Sequence, residues 1–96
     1  MKVVFLAPAQ NELDDAVAWY NRQAAGLGRE LLDELDRAIR RAVTFSLSYP
    51  EIEPGLRRCR LARFPYGVIY GIDDDTLVVV AVAHLHRRPR YWIDRI

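Results

Sequence analysis

The chain reads as an α+β domain of order β-α-α-β-β-β, with a two-helix hairpin packed on one face of an antiparallel sheet meander. Three observations predict it. Residues 57–84 divide into three runs of strand character, parted by Phe64-Pro65-Tyr66-Gly67 and by Asp73-Asp74-Asp75. Upstream, apolar residues recur at spacings of three and four across two stretches, the mark of amphipathic helices. The 96 residues, 51% of them hydrophobic, make a single domain over 1–96 that can bury a core without staples.

The elements follow in order. Residues 2–6 are a short apolar strand. Pro8 suits the first turn of a helix, where its missing N–H costs nothing. Leu13, Ala16, Val17, Tyr20 and Ala24 define the buried stripe of a helix over about 8–25. Glu12, Asp14 and Asp15 lie early in it, on its polar side, and complement the positive end of the helix dipole. Gly26-Leu27-Gly28 breaks the run. A second helix over about 27–48 carries Leu31, Leu32, Leu35, Ile39, Ala42, Val43 and Leu47 on one stripe. Its acids come first and its arginines later, the order the dipole favours. Tyr49-Pro50 ends it, because the residue before proline is pushed out of helical geometry. Residues 51–55 read as a loop.

In the first meander strand Cys59 and Leu61 alternate with Arg58 and Arg60, the period of two of a half-buried strand. Residues 67–72 form the next. Residues 76–84 are almost wholly apolar and β-branched, as expected of a central strand covered on both faces. The N-terminal strand should join the sheet at an edge or beside this last strand, leaving Arg58 and Arg60 on a partly open face. Tyr66, Tyr70 and Trp19 read as core or hairpin packing, and Trp92 as an anchor that returns residues 85–96 to the sheet.

Composition excludes several function classes. No apolar run approaches the roughly 20 residues of a membrane helix, and the N-terminal stretch is too short for a signal peptide. A single cysteine, Cys59, fits a reducing cytoplasm and an inward-facing, unreactive thiol. Residues 1–54 hold six cations against nine acids, a net −3, whereas residues 55–96 hold eight arginines against four aspartates, a net +4. That asymmetry suggests a local arginine face for an acidic partner rather than a duplex-DNA binder. No phosphate-cradling glycine motif, nucleophile–His–acid signature or zinc spacing occurs, so no cofactor or metal is expected. His84 and His86 lack further ligands nearby, and His84 is expected to cap the strand end by a hydrogen bond.

The stretch AQNELDDAVAWYNRQAAGLGRELLDEL, the bend FPYGVIY and the segment VVAVAHLHRRPRYW together resemble the RelE/ParE superfamily of toxins from type II toxin–antitoxin modules. The resemblance spans nearly the whole chain. It implies a small bacterial growth inhibitor of the plasmid-stabilisation kind, paired in a hetero-oligomer with a cognate antitoxin. RelE-like members cut messenger RNA on the ribosome, and ParE-like members act on DNA gyrase.

Metal-free RNA cleavage would need a base, cations for the phosphorane and an acid for the leaving oxygen. Arg58, Arg60 and Arg63 are the candidate cations, His84 or His86 the proton carrier, and Tyr91 the acid or stacking platform. RelE-like nucleases carry lysines and an arginine mid-sheet. Here the arginine's place after the FPY bend is taken by Gly67, and the only lysine is Lys2. The expectation is therefore a ParE-like toxin acting on gyrase through protein contact, with Arg58, Arg60, Arg87, Arg88, Arg90 and Tyr91 as its target- or antitoxin-binding surface. A ribosome-dependent endonuclease and an inactive antitoxin-binding module are the alternatives.

Overall fold

A computed structural model describes residues 1–96. In chain order it contains β1 (Lys2–Phe5), α1 (Ala7–Gln23), α2 (Leu27–Thr44), β2 (Glu51–Glu53), β3 (Leu56–Arg60), β4 (Tyr66–Asp73) and β5 (Thr76–His84), then a single 3-10 turn at Ile93–Arg95. The five strands form one sheet in the order β1-β5-β4-β3-β2. β5 pairs antiparallel with β4 and β4 with β3, which is the expected meander. β1 lies parallel beside β5, from Lys2 opposite Thr76 to Phe5 opposite Val79.

Both helices cover one face of this sheet. Leu13, Ala16, Leu31 and Leu35 meet Cys59, Val68, Tyr70, Leu77, Val79 and Val82 in the main core. Gly26 makes the tight reversal between the helices at φ 83, a backbone region costly for residues with a Cβ. The alternation in β3 falls as the sequence indicates. Cys59 is buried towards α2, and Arg58 and Arg60 point to the opposite face.

Three expectations change. α2 stops at Thr44 rather than near residue 48, so Leu47 is 74% exposed and packs in no stripe. The carbonyls just beyond it are taken by donors of the sheet. Ser46 accepts from the Tyr70 hydroxyl at 2.7 Å, and Leu47 and Tyr49 accept from Arg57 at 3.3 and 2.6 Å. Residues 51–53 form a fifth strand rather than part of a loop, because the turn at Pro54-Gly55 folds them back on β3. Val80, as expected of a strand covered on both faces, is buried, and it lies on the face away from the helices. Ile69 faces Ala81 and Tyr70 faces Val79, so Val80 is the extra residue of a β-bulge and joins the second core cluster. Trp19 is half exposed on α1 rather than packed.

The second sheet face is less open than expected. Trp92, only 5% exposed, lies on Leu56, Ile69, Val80, Ala81 and Ala83. The chain after β5 therefore folds back under the sheet. No helix is long and apolar enough to cross a membrane.

Candidate functional site

β5 is longer than its parallel neighbour, and that difference builds the site. β1 ends at Phe5, and Leu6 N–H donates to Val79 O at 3.0 Å before the chain turns into α1. Beyond that point the edge of β5 faces the first turns of α1 instead of a strand. Glu12 fills the gap, accepting from Val82 N–H at 3.0 Å. Its carboxylate also receives the Tyr91 hydroxyl at 2.5 Å and a two-pronged contact from Arg95 at 2.9 and 3.0 Å. Arg95 donates as well to Val80 O at 3.0 Å, covering the bulge. A carboxylate that accepts a bidentate guanidinium and two further donors makes strong, directional bonds.

Glu12 thus does not lie on a solvated helix face. Its side chain is 13% exposed and ties α1, β5 and the segment after β5 together. Arg95, which the sequence reading passed over, is its main partner. Spacing held the signal for Glu12: it is three residues after Ala9 and four before Ala16, both buried, and so falls within the packed arc of α1.

The segment after β5 begins with a small histidine turn. His84 Nδ1 accepts from His86 N–H at 3.1 Å, a capping bond at the strand end, and its ring meets Tyr66 edge-on at 5.1 Å. His86 is exposed beside it, with ring centroids 5.4 Å apart. No group of three potential metal ligands comes together. Arg87 stacks its guanidinium 3.8 Å from the centre of the Tyr91 ring and reaches to 3.7 Å from Glu12. Burial, then the bond to Glu12, pushes the Tyr91 hydroxyl well above its ordinary range. Tyr91 is therefore a donor locked onto a carboxylate rather than a free acid.

Two concavities flank this clasp. One, of about 400 Å³, lies between α1 and the end of the sheet and is walled by Trp19, Tyr20, Tyr66, His84 and Tyr91. The other, of about 220 Å³, lies on the second sheet face, with Arg58, Arg87, Arg88 and Arg90 around a floor that includes Ile69 and Trp92. Gly67 makes room for Arg58. A Cβ at that position would stand 3.1 and 3.2 Å from the Arg58 stem, so the glycine lets the arginine lie flat across β4.

The expected site residues thus divide. Arg58, Arg87, Arg88 and Arg90 come together, with His84 beside them. Arg60 is exposed further along β3. Arg63 is elsewhere: its side chain bonds Glu30 at 3.1 Å and Glu34 at 3.4 Å. Glu34 is itself buried, accepts from the Ala62 and Arg63 amides at 2.8 and 3.0 Å, and so fixes the β3–β4 connection to α2. Those pairs hold the Arg63 side chain against α2, and it lines neither the arginine cluster nor the concavity beside Tyr91 and His84.

A family model described as the ParE toxin of type II toxin–antitoxin systems, parDE, matches residues 3–89. Among solved structures, the chromosomal ParDE toxin–antitoxin system from P. aeruginosa matches with a TM-score of 0.78 at 13% identity, covering 90% of this chain and 97% of that one. At that identity the likeness is one of fold. No curated protein sequence matches significantly.

Proposed function

The chain belongs to the ParE toxin family of type II toxin–antitoxin systems, and from that premise we propose that it arrests growth by binding DNA gyrase and cuts no phosphodiester. It acts in the cytoplasm and is held in a hetero-oligomer by a cognate antitoxin until released. The observation that carries the gyrase reading is the engagement of the groups an RNA-cleaving site would need free. The Tyr91 hydroxyl is donated to Glu12, and Arg63 is paired with Glu30 and Glu34. The Tyr91 hydroxyl is thus not a free acid, Arg63 is drawn towards α2, and arginine is a poor base at neutral pH. Arg58, Arg60, Arg87, Arg88 and Arg90 are then recognition groups, with fork-shaped donors suited to carboxylates. Tyr91 supports this surface by holding Arg87 in place.

The test compares two activities of the purified chain freed of antitoxin: inhibition of gyrase supercoiling and cleavage of ribosome-bound message. Supercoiling inhibition without message cleavage is the expected result. Message cleavage that disappears in Arg60→Ala or His86→Ala would overturn it in favour of an endonuclease. Silence in both assays, with retained antitoxin binding, would leave a binding module and refute the toxin mechanism.

A further inference from the structure

The concavity on the second sheet face carries a charge imbalance that its surroundings do not correct. Four arginines line it, and Glu53 of β2 is its only acid. Glu53 pairs with Arg90 at 3.1 Å, which leaves Arg58 and Arg88 without an ion-pair partner. Arg58 is half buried as well, its stem lying where a side chain at position 67 would crowd it. Cations gathered this closely repel one another, and an anion relieves that repulsion. Arg90 adds a second cost. It adopts φ 63, a left-handed backbone that non-glycine residues rarely take, and in that conformation its side chain reaches Glu53.

We propose that this pocket is a carboxylate-binding site for an acidic segment of a protein partner, and that Glu53 is its internal occupant, displaced from Arg90 when the partner's carboxylate enters. The inference rests on the reading of the basic face as a recognition surface and adds the chemistry recognised there. A carboxylate fits better than a nucleic acid for two reasons. The one anion already in the pocket is a carboxylate. The aromatic rings that would stack a base are engaged, Trp92 under the sheet and Tyr91 beneath Arg87, and single-stranded nucleic acids are held largely by such stacking. Apolar floor residues such as Ile69 and Trp92 suit a partner in which an aliphatic residue adjoins the acid.

The full chain is titrated with a capped hexapeptide alternating glutamate with leucine, with its glutamine counterpart, and with a six-nucleotide single-stranded RNA, while melting curves follow the fold. The glutamate peptide should bind, weaken with added salt, and bind better than the other two. Arg58→Ala and Arg88→Ala, the latter at an exposed position, should each weaken it roughly three- to tenfold, the loss of a charge-assisted bond near the surface. Glu53→Gln should tighten it by roughly two- to fivefold, since a surface ion pair competes only modestly. Equal binding of the glutamine peptide, tighter binding of the RNA, or a Glu53→Gln variant that binds no better would each overturn the proposal. A chain that binds the peptide as described but leaves gyrase untouched refutes the gyrase mechanism and not this site. A native chain that inhibits gyrase but binds no glutamate peptide refutes this site and not the gyrase mechanism.

Discussion

Replacing Glu34 with glutamine should uncouple the β3–β4 connection from α2 in a way that pH reveals. The carboxylate is 4% exposed and receives Arg37 at 2.9 Å, the Ala62 and Arg63 amides, and Arg63 Nε at 3.4 Å. The Arg37 bond, opposed by burial and helped by the two amides, holds its pKa down from 4.5 to about 2. At about 1.4 kcal/mol for each tenfold change in acidity, ionised Glu34 contributes on the order of 3 kcal/mol to stability at neutral pH. Because the folded value is the depressed one, this contribution is complete above pH 4.5 and is lost as pH falls towards 2. Glu34→Gln keeps the side-chain shape, removes the charge and turns an NH₂ towards groups that are themselves donors. Denaturant unfolding of both proteins at pH 7 should show a deficit of about 3 kcal/mol in the variant. The deficit should narrow steadily as pH is lowered from about 5. A gap under about 1 kcal/mol at pH 7, or one of constant size at all pH values, would refute the buried-anion account.

Trp92→Ala should cost about 3–5 kcal/mol by opening a cavity under the sheet, measured by the same unfolding curves. Tyr91→Phe should cost about 1–3 kcal/mol, because it leaves a largely buried Glu12 oxygen short of a donor; an unchanged midpoint would show that water replaces the hydroxyl freely. Leu35→Ala in the main core should lower stability by about 2–5 kcal/mol in the same unfolding curves, and an unchanged midpoint would place Leu35 outside the core.

Much of the fold was legible because its signals are local. Helix stripes, the alternation at residues 58–61 and the turn at Asp73–Asp75 each declare themselves within a few residues. β2 did not, since Glu51-Ile52-Glu53 is short and acidic, and only its hairpin partner makes it a strand. The end of α2 at Thr44 is hidden for a similar reason. Nothing in residues 45–48 forbids a helix, and the donors that claim their carbonyls, Tyr70 and Arg57, come from the sheet. The arginine cluster was visible as composition, but its division was not. Which arginines stay unpaired depends on Glu30, Glu34, Glu12 and Glu53, acids that sit 33, 29, 83 and 37 residues away from their partners. Glu12 is the clearest case: its spacing placed it near the buried arc, yet only the overhang of β5 beyond β1 gives a carboxylate there something to bind.

That overhang also sets an order of events during synthesis. Lys2 must wait for Thr76 before β1 has a strand to lie against, and Glu12 must wait for Arg95. At about 5–20 residues per second, several seconds separate the emergence of the first strand from that of its partner. Over that interval Val3 and Val4, which remain half exposed even in the finished sheet, are without a neighbour on either side. The helix hairpin needs only contacts between adjacent segments and can form early, whereas pairings this distant in sequence form slowly. Arg58 is joined by Arg87, Arg88 and Arg90 only once the segment after β5 has been made and has folded back. Any partner that captures the nascent chain before then meets the helices and a bare edge, not the basic pocket.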